Sequence, residues 1–290
     1  MNDLTIRDLE NLSGIKAHTI RMWEQRYGFL KPQRTDTNIR YYSHDELKTI
    51  LNVALLNKCG FKLCHIDQMQ PAEICEKVLS LGSTEAVHER VINDLIRAMV
   101  DMQTEKFEST LDQYISKNGL IKSVREIIFP FLERIGILWQ TGHILAAQEH
   151  FVRSIIRQKL IVAIDSVVPE NESSKRVLLF LPEKENQELG LLFLHYLLKF
   201  RGTKVTYLGA NVPISDVAYV AGIVKPDMAF LHFTSPCLRF ENLVQDISKH
   251  LDKLPIIISG CPTYACCKQV PSNISFKKNF TEVTEFISTI

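Results

Sequence analysis

Hydrophobic and polar positions alternate in three different rhythms along the chain. In the first stretch the apolar residues come in short helical groups separated by turn signals. Thr5 and Asp8 have capping-box spacing and predict a short helix over 6–11. Ser13-Gly14 reads as a turn. A second helix is predicted over 16–26, with Ile15, Ile20 and Trp23 at helical spacing. Gly28 is expected to end it by adopting a positive φ. Residues 29–42 carry Pro32, many polar residues and the run Arg40-Tyr41-Tyr42, which predicts a loop and hairpin wing. Ser43 and Glu46 form another capping-box signal, opening a helix that runs to Lys58 and stops at Cys59-Gly60-Phe61.

The second rhythm covers 82–168 and is helical throughout. Val87, Val91, Leu95, Ile96 and Met99 make one stripe, and Phe107, Leu111, Tyr114 and Ile115 a second. Ile121, Val124, Ile128, Phe131, Leu132 and Ile135 make a third, with Pro130 expected to kink or break it. Phe151, Ile155, Ile156, Leu160 and Val162 make the fourth. Asn118-Gly119 and Thr141-Gly142 read as turns between them. Four amphipathic helices with short connections predict a helix bundle.

A polar linker over 169–174 precedes the third rhythm, in which short apolar runs alternate with helices. Runs at 177–181, 205–208, 228–233 and 256–258 alternate with helices predicted over 188–201, 215–225 and 240–251. This pattern predicts a doubly wound, Rossmann-like parallel sheet. The fold class expected is therefore multidomain: an all-α winged helix-turn-helix over 1–75, a four-helix bundle over 82–168 and an α/β domain over 175–290. Ligands of doubly wound sheets bind at the carboxyl ends of the strands, which places the candidate ligand loops at 182–190, 209–213, 234–237 and 260–264.

Composition adds limits. The chain has 290 residues, is 46% hydrophobic and 23% charged, and carries a net charge of +1. No apolar run reaches the ~18–20 residues of a membrane span, and the acidic start lacks a signal-peptide core. The seven cysteines include no CxxC pair, so no zinc site is expected and free thiols in a reducing cytoplasm are the simpler reading. Cys261 and the vicinal Cys266-Cys267 form the one candidate thiol-sensor group, weakened because Lys268 is the only neighbouring cation. No Ser/His/Asp set, paired carboxylates or glycine-rich phosphate loop stands out. Glu183-Lys184-Glu185 reads as a charged loop, so no catalytic residues and no metal site are expected.

The overall charge makes no case for nucleic acid, so a local one is needed. Between Gly14 and Tyr42, six basic residues face only Glu24 and Asp36, a net +4, leaving the rest of the chain acidic on balance. Basic and aromatic side chains interleave there, as phosphate and groove contacts require. Lys16, His18, Thr19 and Arg21 are the early residues of the second helix, the part of a helix-turn-helix that reaches base edges. The string from His18 to Leu47, HTIRMWEQRYGFLKPQRTDTNIRYYSHDEL, resembles the MerR family signature. That resemblance implies that Arg21, Trp23, Glu24, Arg26 and Tyr27 belong to the recognition helix and its end. Arg21 and Tyr27 would be the leading DNA contacts, Arg34, Arg40 and Tyr42 would form a wing that grips the backbone, and Trp23 would lie in the core. Asn38 stands where the family usually has a wing-turn glycine, a position asparagine tolerates. The resemblance implies double-stranded operator DNA as partner, action on RNA polymerase through the promoter, and a homo-dimer or tetramer in the cytoplasm.

The remainder of the chain resembles CarH/CarA-type regulators, whose carboxyl-terminal part is related to a cobalamin-binding module. Trp139 followed by Glu149-His150 has the spacing of that group. The resemblance implies Trp139 over the upper face of adenosylcobalamin, Glu149 at the adenosyl group and His150 able to capture cobalt. The cobalamin loop of the group reads Asp/Glu-x-His-x-x-Gly. Here Glu185 and Gly190 match, but Gln187 occupies the histidine's place. An imidazole nitrogen is a good cobalt donor, whereas an amide is a poor one. Thr234-Ser235-Pro236 is a partial match to the loop after the third strand. Gly260-Cys261 replaces a Gly-Gly pair, and Pro262 and Tyr264 add bulk. Two readings stand: a corrinoid-binding, light- or cobalamin-responsive regulator, or a regulator that kept the fold and lost the cofactor, the second preferred. A corrinoid carrier or methyl-transfer accessory protein and a pure interaction scaffold are the remaining classes.

Overall fold

The computed structural model describes residues 4–35, 38–140, 144–169, 173–234, 240–260 and 269–290, with no side-chain description for 137–140. The chain divides into two compact units, Met1–Ile155 and Ile156–Ile290.

In the first unit, helix α1 (Ile6–Ser13) opens on the expected Thr5/Asp8 capping box and ends at Gly14 with φ 73°. Helix α2 (Ala17–Arg26) follows after three residues. Its first amide is taken up from outside the helix: Ala17 N–H donates to Glu10 Oε2 of α1 at 3.2 Å. Strands β1 (Gln33–Arg34) and β2 (Arg40–Tyr41) make the antiparallel wing. Asn38 lies in its turn with φ 63°, the left-handed conformation that made asparagine acceptable there. Helix α3 (His44–Lys58) starts on the Ser43/Glu46 capping box. The backbones of Leu4 and Tyr42 exchange hydrogen bonds at 2.9 and 2.8 Å, tying the chain start to the wing base.

Two helices were not anticipated: the single turn α4 (Leu63–Ile66) and α5 (Pro71–Ser80). The second runs across the position 75 expected as a domain edge and packs on α3. Its start carries a capping box in which Gln70 replaces the usual hydroxyl residue, with proline in the first turn. Its apolar side is only Ile74 and Val78 wide, too short a period to stand out against neighbouring loops.

Helices α6 (Thr84–Val100) and α7 (Thr104–Asn118) match the first two bundle stripes. The third is continuous: α8 (Leu120–Ser123), a π-helical turn Val124–Ile128 and α9 (Phe129–Gln140). Pro130 therefore neither breaks nor ends the helix. Its missing N–H and its ring, which would crowd the carbonyl four residues back, fall just after the wider turn, where Phe129 N–H bonds Val124 O. Helix α10 (Ala146–Ser166) spans the boundary of the two units. Phe107 packs against Phe131 and Phe151 with ring centroids 5.6 and 5.9 Å apart.

The second unit is a five-stranded parallel sheet. Strands β3 (Arg176–Pro182), β4 (Lys204–Val212), β5 (Met228–Phe233), β6 (Ile256–Gly260) and β7 (Ile274–Lys277) lie in the order β4-β3-β5-β6-β7. Helices α11 (Leu189–Phe200), α12 (Ile214–Val224), α13 (Phe240–His250) and α14 (Phe280–Ser288) complete it. β7 and α14 are additions to the sequence reading, since β7 has four residues and buries only the first. One core cluster joins Leu178, Phe180, Leu231, Val244, Ile256 and Ile258 across β3, β5, α13 and β6. The winding reverses between β3 and β5, so the crevice at their carboxyl ends is the ligand position of this topology.

Candidate nucleic-acid interface and sheet crevice

Helix α2 buries Ile20 and Trp23. At 3.6 residues per turn the opposite side presents His18, Arg21, Met22 and Gln25, all exposed, with Arg26 and Lys16 exposed beside them. Thr19 is half-buried, its hydroxyl 3.3 Å from His18 Nε2. Lys16 Nζ lies 3.4 Å from Glu10 and stays open to solvent. Of the contacts expected on this helix, Lys16, His18, Arg21 and Arg26 are therefore exposed, and Thr19 and Tyr27 are half-buried.

Tyr27 stacks on Phe29 at 5.6 Å, and Phe29 meets Trp23 edge-on at 5.9 Å. The helix does not end on a left-handed glycine. Tyr27 closes it in an extended conformation, with its N–H bonded to Trp23 O. Gly28 keeps an ordinary φ and donates its N–H to Asp67 Oδ1 at 2.7 Å. The helix exit is thus fixed by a residue 39 positions away, which local sequence could not reveal.

The wing divides its expected residues. Arg34 is exposed and donates to Asn38 Oδ1 at 2.8 Å. Arg40 is half-buried, and its Nε donates to Glu24 Oε2 of α2 at 2.7 Å. This bond is the main cause that raises the pKa of Arg40. Glu24 also lies 3.6 Å from Arg34. Arg40 therefore ties the wing to α2 through Glu24, an acid that the charge count treated only as an opposing charge.

Tyr42 requires correction. Its relative exposure is 0%, so it is a core residue and not a groove contact. Burial pushes its hydroxyl up to about 12, and its oxygen has no hydrogen-bond partner among the described residues. The sequence motif placed it beside Arg40 and Tyr41. It lies one residue past β2, where its backbone pairs with Leu4 and its side chain is buried in the core.

The sheet crevice is equally specific. Residues 183–188 leave β3 and are held on several sides. Lys184 has φ 72° and its N–H bonds Asn211 Oδ1 at 2.8 Å, while Asn211 N–H returns a bond to Glu185 O at 3.0 Å. Glu188 accepts from Arg157 Nε at 2.6 Å and from the Tyr207 hydroxyl at 2.7 Å. Gln187 Oε1 accepts from Thr234 Oγ1 at 3.2 Å, so the loops after β3 and β5 meet at the switch point. A Cβ at Gly190 would collide with the ring of His232, and one at Gly260 with the Phe233 carbonyl. Both glycines are thus required by the chain's own packing.

Chemically, this crevice does not fit cobalt ligation through its β3 loop. Residues 183–188 contain no imidazole, and the amide oxygen of Gln187 is engaged by Thr234. His232 is half-buried, with desolvation lowering its pKa to about 4, and its Nδ1 lies 2.9 Å from Ser259 Oγ. On α10, Glu149 is buried and bonded to Arg153 Nε at 2.7 Å, while His150 is exposed. The side chain of Trp139, the residues Ser235, Pro236 and Cys237, the Cys261, Pro262, Tyr264, Cys266 and Cys267 group, and the turn at 141–142 lie outside the described residues. Among the described residues there is no group of three His, Cys, Asp or Glu arranged to hold a metal, and no helix is long and apolar enough to cross a membrane.

Comparison with known proteins agrees with both regions. Residues 4–73 match the MerR HTH family regulatory protein model, and residues 91–163 match the B12 binding domain model. The chain is 26% identical over 261 residues to the HTH-type transcriptional repressor CarH of Myxococcus xanthus, covering 86% of each chain. It is likewise 26% identical to the repressor CarA of the same organism, over 89% of this chain and 86% of that one. In fold, it is similar to the monomethylamine corrinoid protein of Methanosarcina barkeri, with a TM-score of 0.57 at 14% identity, covering 70% of this chain and all of that one. The chain thus carries a MerR-type helix-turn-helix segment followed by a segment similar to a B12 binding domain, and over most of its length it is similar to HTH-type transcriptional repressors.

Proposed function

We propose that the protein is a sequence-specific transcriptional repressor that binds duplex operator DNA as a homo-oligomer, and that its sheet module does not hold cobalt through a ligand from the β3 loop. The observation that carries the first part is the outward ridge of α2 with the exposed wing residue Arg34, the helix acid Glu24 being withdrawn by Arg40. Lys16, Arg26 and Arg34 would neutralise phosphates, His18, Arg21 and Gln25 would meet base edges, and Thr19 and Tyr27 would lie at the margin of the contact. A near-palindromic site read by a two-fold dimer follows from the helix-turn-helix geometry. Repression by occupying a promoter explains the link to RNA polymerase without a direct contact.

The second part rests on Gln187 and on the two glycines filled by the chain's own groups. The match to a B12 binding domain over 91–163 favours a second reading, corrinoid held from the bundle side only.

Two measurements test the pair. Full-length protein should enrich one sequence class from a random duplex pool, and its affinity should fall steeply with salt. Failure to enrich any sequence would remove the DNA reading. Protein incubated with adenosylcobalamin in the dark and desalted should emerge colourless, and Gln187→His should increase the retained absorbance. Full retention by the unaltered protein would establish the second reading.

A further inference from the structure

On α2, the ridge opposite Ile20 and Trp23 is made of His18, Arg21, Met22 and Gln25. Three of the four carry hydrogen-bonding groups. Met22 is the exception, an apolar side chain left 43% exposed. Single exposed apolar residues are ordinary on protein surfaces. This one, however, stands in the middle of the face that meets base edges in a helix-turn-helix. The only acid of the helix is taken out of contention: Glu24 is bound by Arg40 at 2.7 Å and faces Arg34 at 3.6 Å, so it is not presented to a cytosine amino group.

A major-groove edge offers donors, acceptors and a single apolar feature, the C5-methyl of thymine. The thioether of methionine is unbranched and polarizable and adapts to an irregular apolar neighbour. We propose that Met22 is a specificity-determining residue that packs on a thymine methyl in the operator, so that the protein discriminates thymine from a methyl-free base at one position of each half-site. This inference rests on the reading of α2 as the helix that enters the groove.

The test uses full-length protein and the site it enriches from a random duplex pool. Each thymine of that site is replaced in turn by deoxyuridine, which removes the methyl and keeps every hydrogen bond. At one thymine per half-site the replacement should weaken binding about fourfold, the worth of one buried methyl-sized contact. Met22→Ala should bind the thymine and deoxyuridine duplexes equally, and Met22→Leu should restore the preference. Unchanged far-UV circular dichroism would show that the exposed substitution leaves the helix folded. The proposal is overturned if no thymine shows a preference that Met22→Ala abolishes. A pool that enriches nothing overturns it at an earlier stage, by removing the DNA reading itself.

Discussion

The recognition helix with its wing and the crevice of the parallel sheet both carry residues that match a family pattern, yet the matches have different causes. In the helix, the pattern residues are split by partners within the same short stretch. Arg21 and Arg26 remain outward, Arg40 is spent on Glu24, and Tyr42 is in the core. In the crevice, Gly190 and Gly260 match a ligand-binding pattern but are demanded by His232 and Phe233 of the same sheet. A motif residue can therefore be retained for packing alone. What separates the two regions is the group that would touch the ligand: Arg21, Arg26 and Arg34 remain exposed, whereas position 187 carries an amide already bonded to Thr234.

That contrast can be broken most strongly at Tyr42. Truncation to alanine should cost roughly 3–5 kcal/mol, as for a large buried aromatic, read as a shift in the urea midpoint. Tyr42→Phe should cost under about 1 kcal/mol, because the hydroxyl removed has no protein partner among the described residues. A large loss of operator affinity in a fully folded Tyr42→Phe variant would return this residue to the interface.

Arg21→Ala comes next. Operator affinity should fall by roughly 1–3 kcal/mol with relaxed preference at one base pair, if Arg21 reads a base edge. Lys16→Ala and Arg34→Ala should instead weaken all duplexes alike and reduce the salt slope by about 1 each. Titrations at three salt concentrations separate the two behaviours.

Acid should distinguish the sheet unit. Burial lowers His232 to about 4 from an ordinary 6.5. The folded unit then binds fewer protons than the unfolded chain between these values. The contribution is fully present above pH 6.5 and is lost as pH falls towards 4, at no more than about 1.4 kcal/mol per pH unit for this residue. His195, lowered to about 4 mainly by burial, adds in the same direction. Unfolding of the unit by denaturant at pH 7, 6 and 5 should show falling midpoints, and His232→Gln should flatten the slope.

The smallest effect is expected at the clamp between wing and helix. Glu24→Gln and Arg40→Gln should each weaken operator binding, and their double-mutant cycle should give a coupling of roughly 0.5–1.5 kcal/mol. Additive effects would mean that Arg40 contacts DNA directly and does not act through Glu24.

Much of the molecule was readable because its signals are local. Thr5 with Asp8 and Ser43 with Glu46 announced α1 and α3, and both boxes formed as spaced. The alternation of short apolar runs with helices announced a parallel sheet, though not its last strand. The four residues of β7 bury too little to show a pattern of their own, and pairing with β6 makes it a strand.

What the chain determined by itself is everything encoded within a few residues: helix caps, the 3.6- and 2-residue periods, the asparagine turn of the wing, and the identity of the side chains offered to DNA and to a ligand. Only the tertiary structure decided which of those side chains were available. Asp67 reaches Gly28 across 39 positions, Arg40 reaches Glu24 across 16, and Thr234 reaches Gln187 across 47. Such partners are chosen by how helices, wing and sheet pack, since hydrogen bonds and steric exclusion act between neighbours in space whatever their distance along the chain.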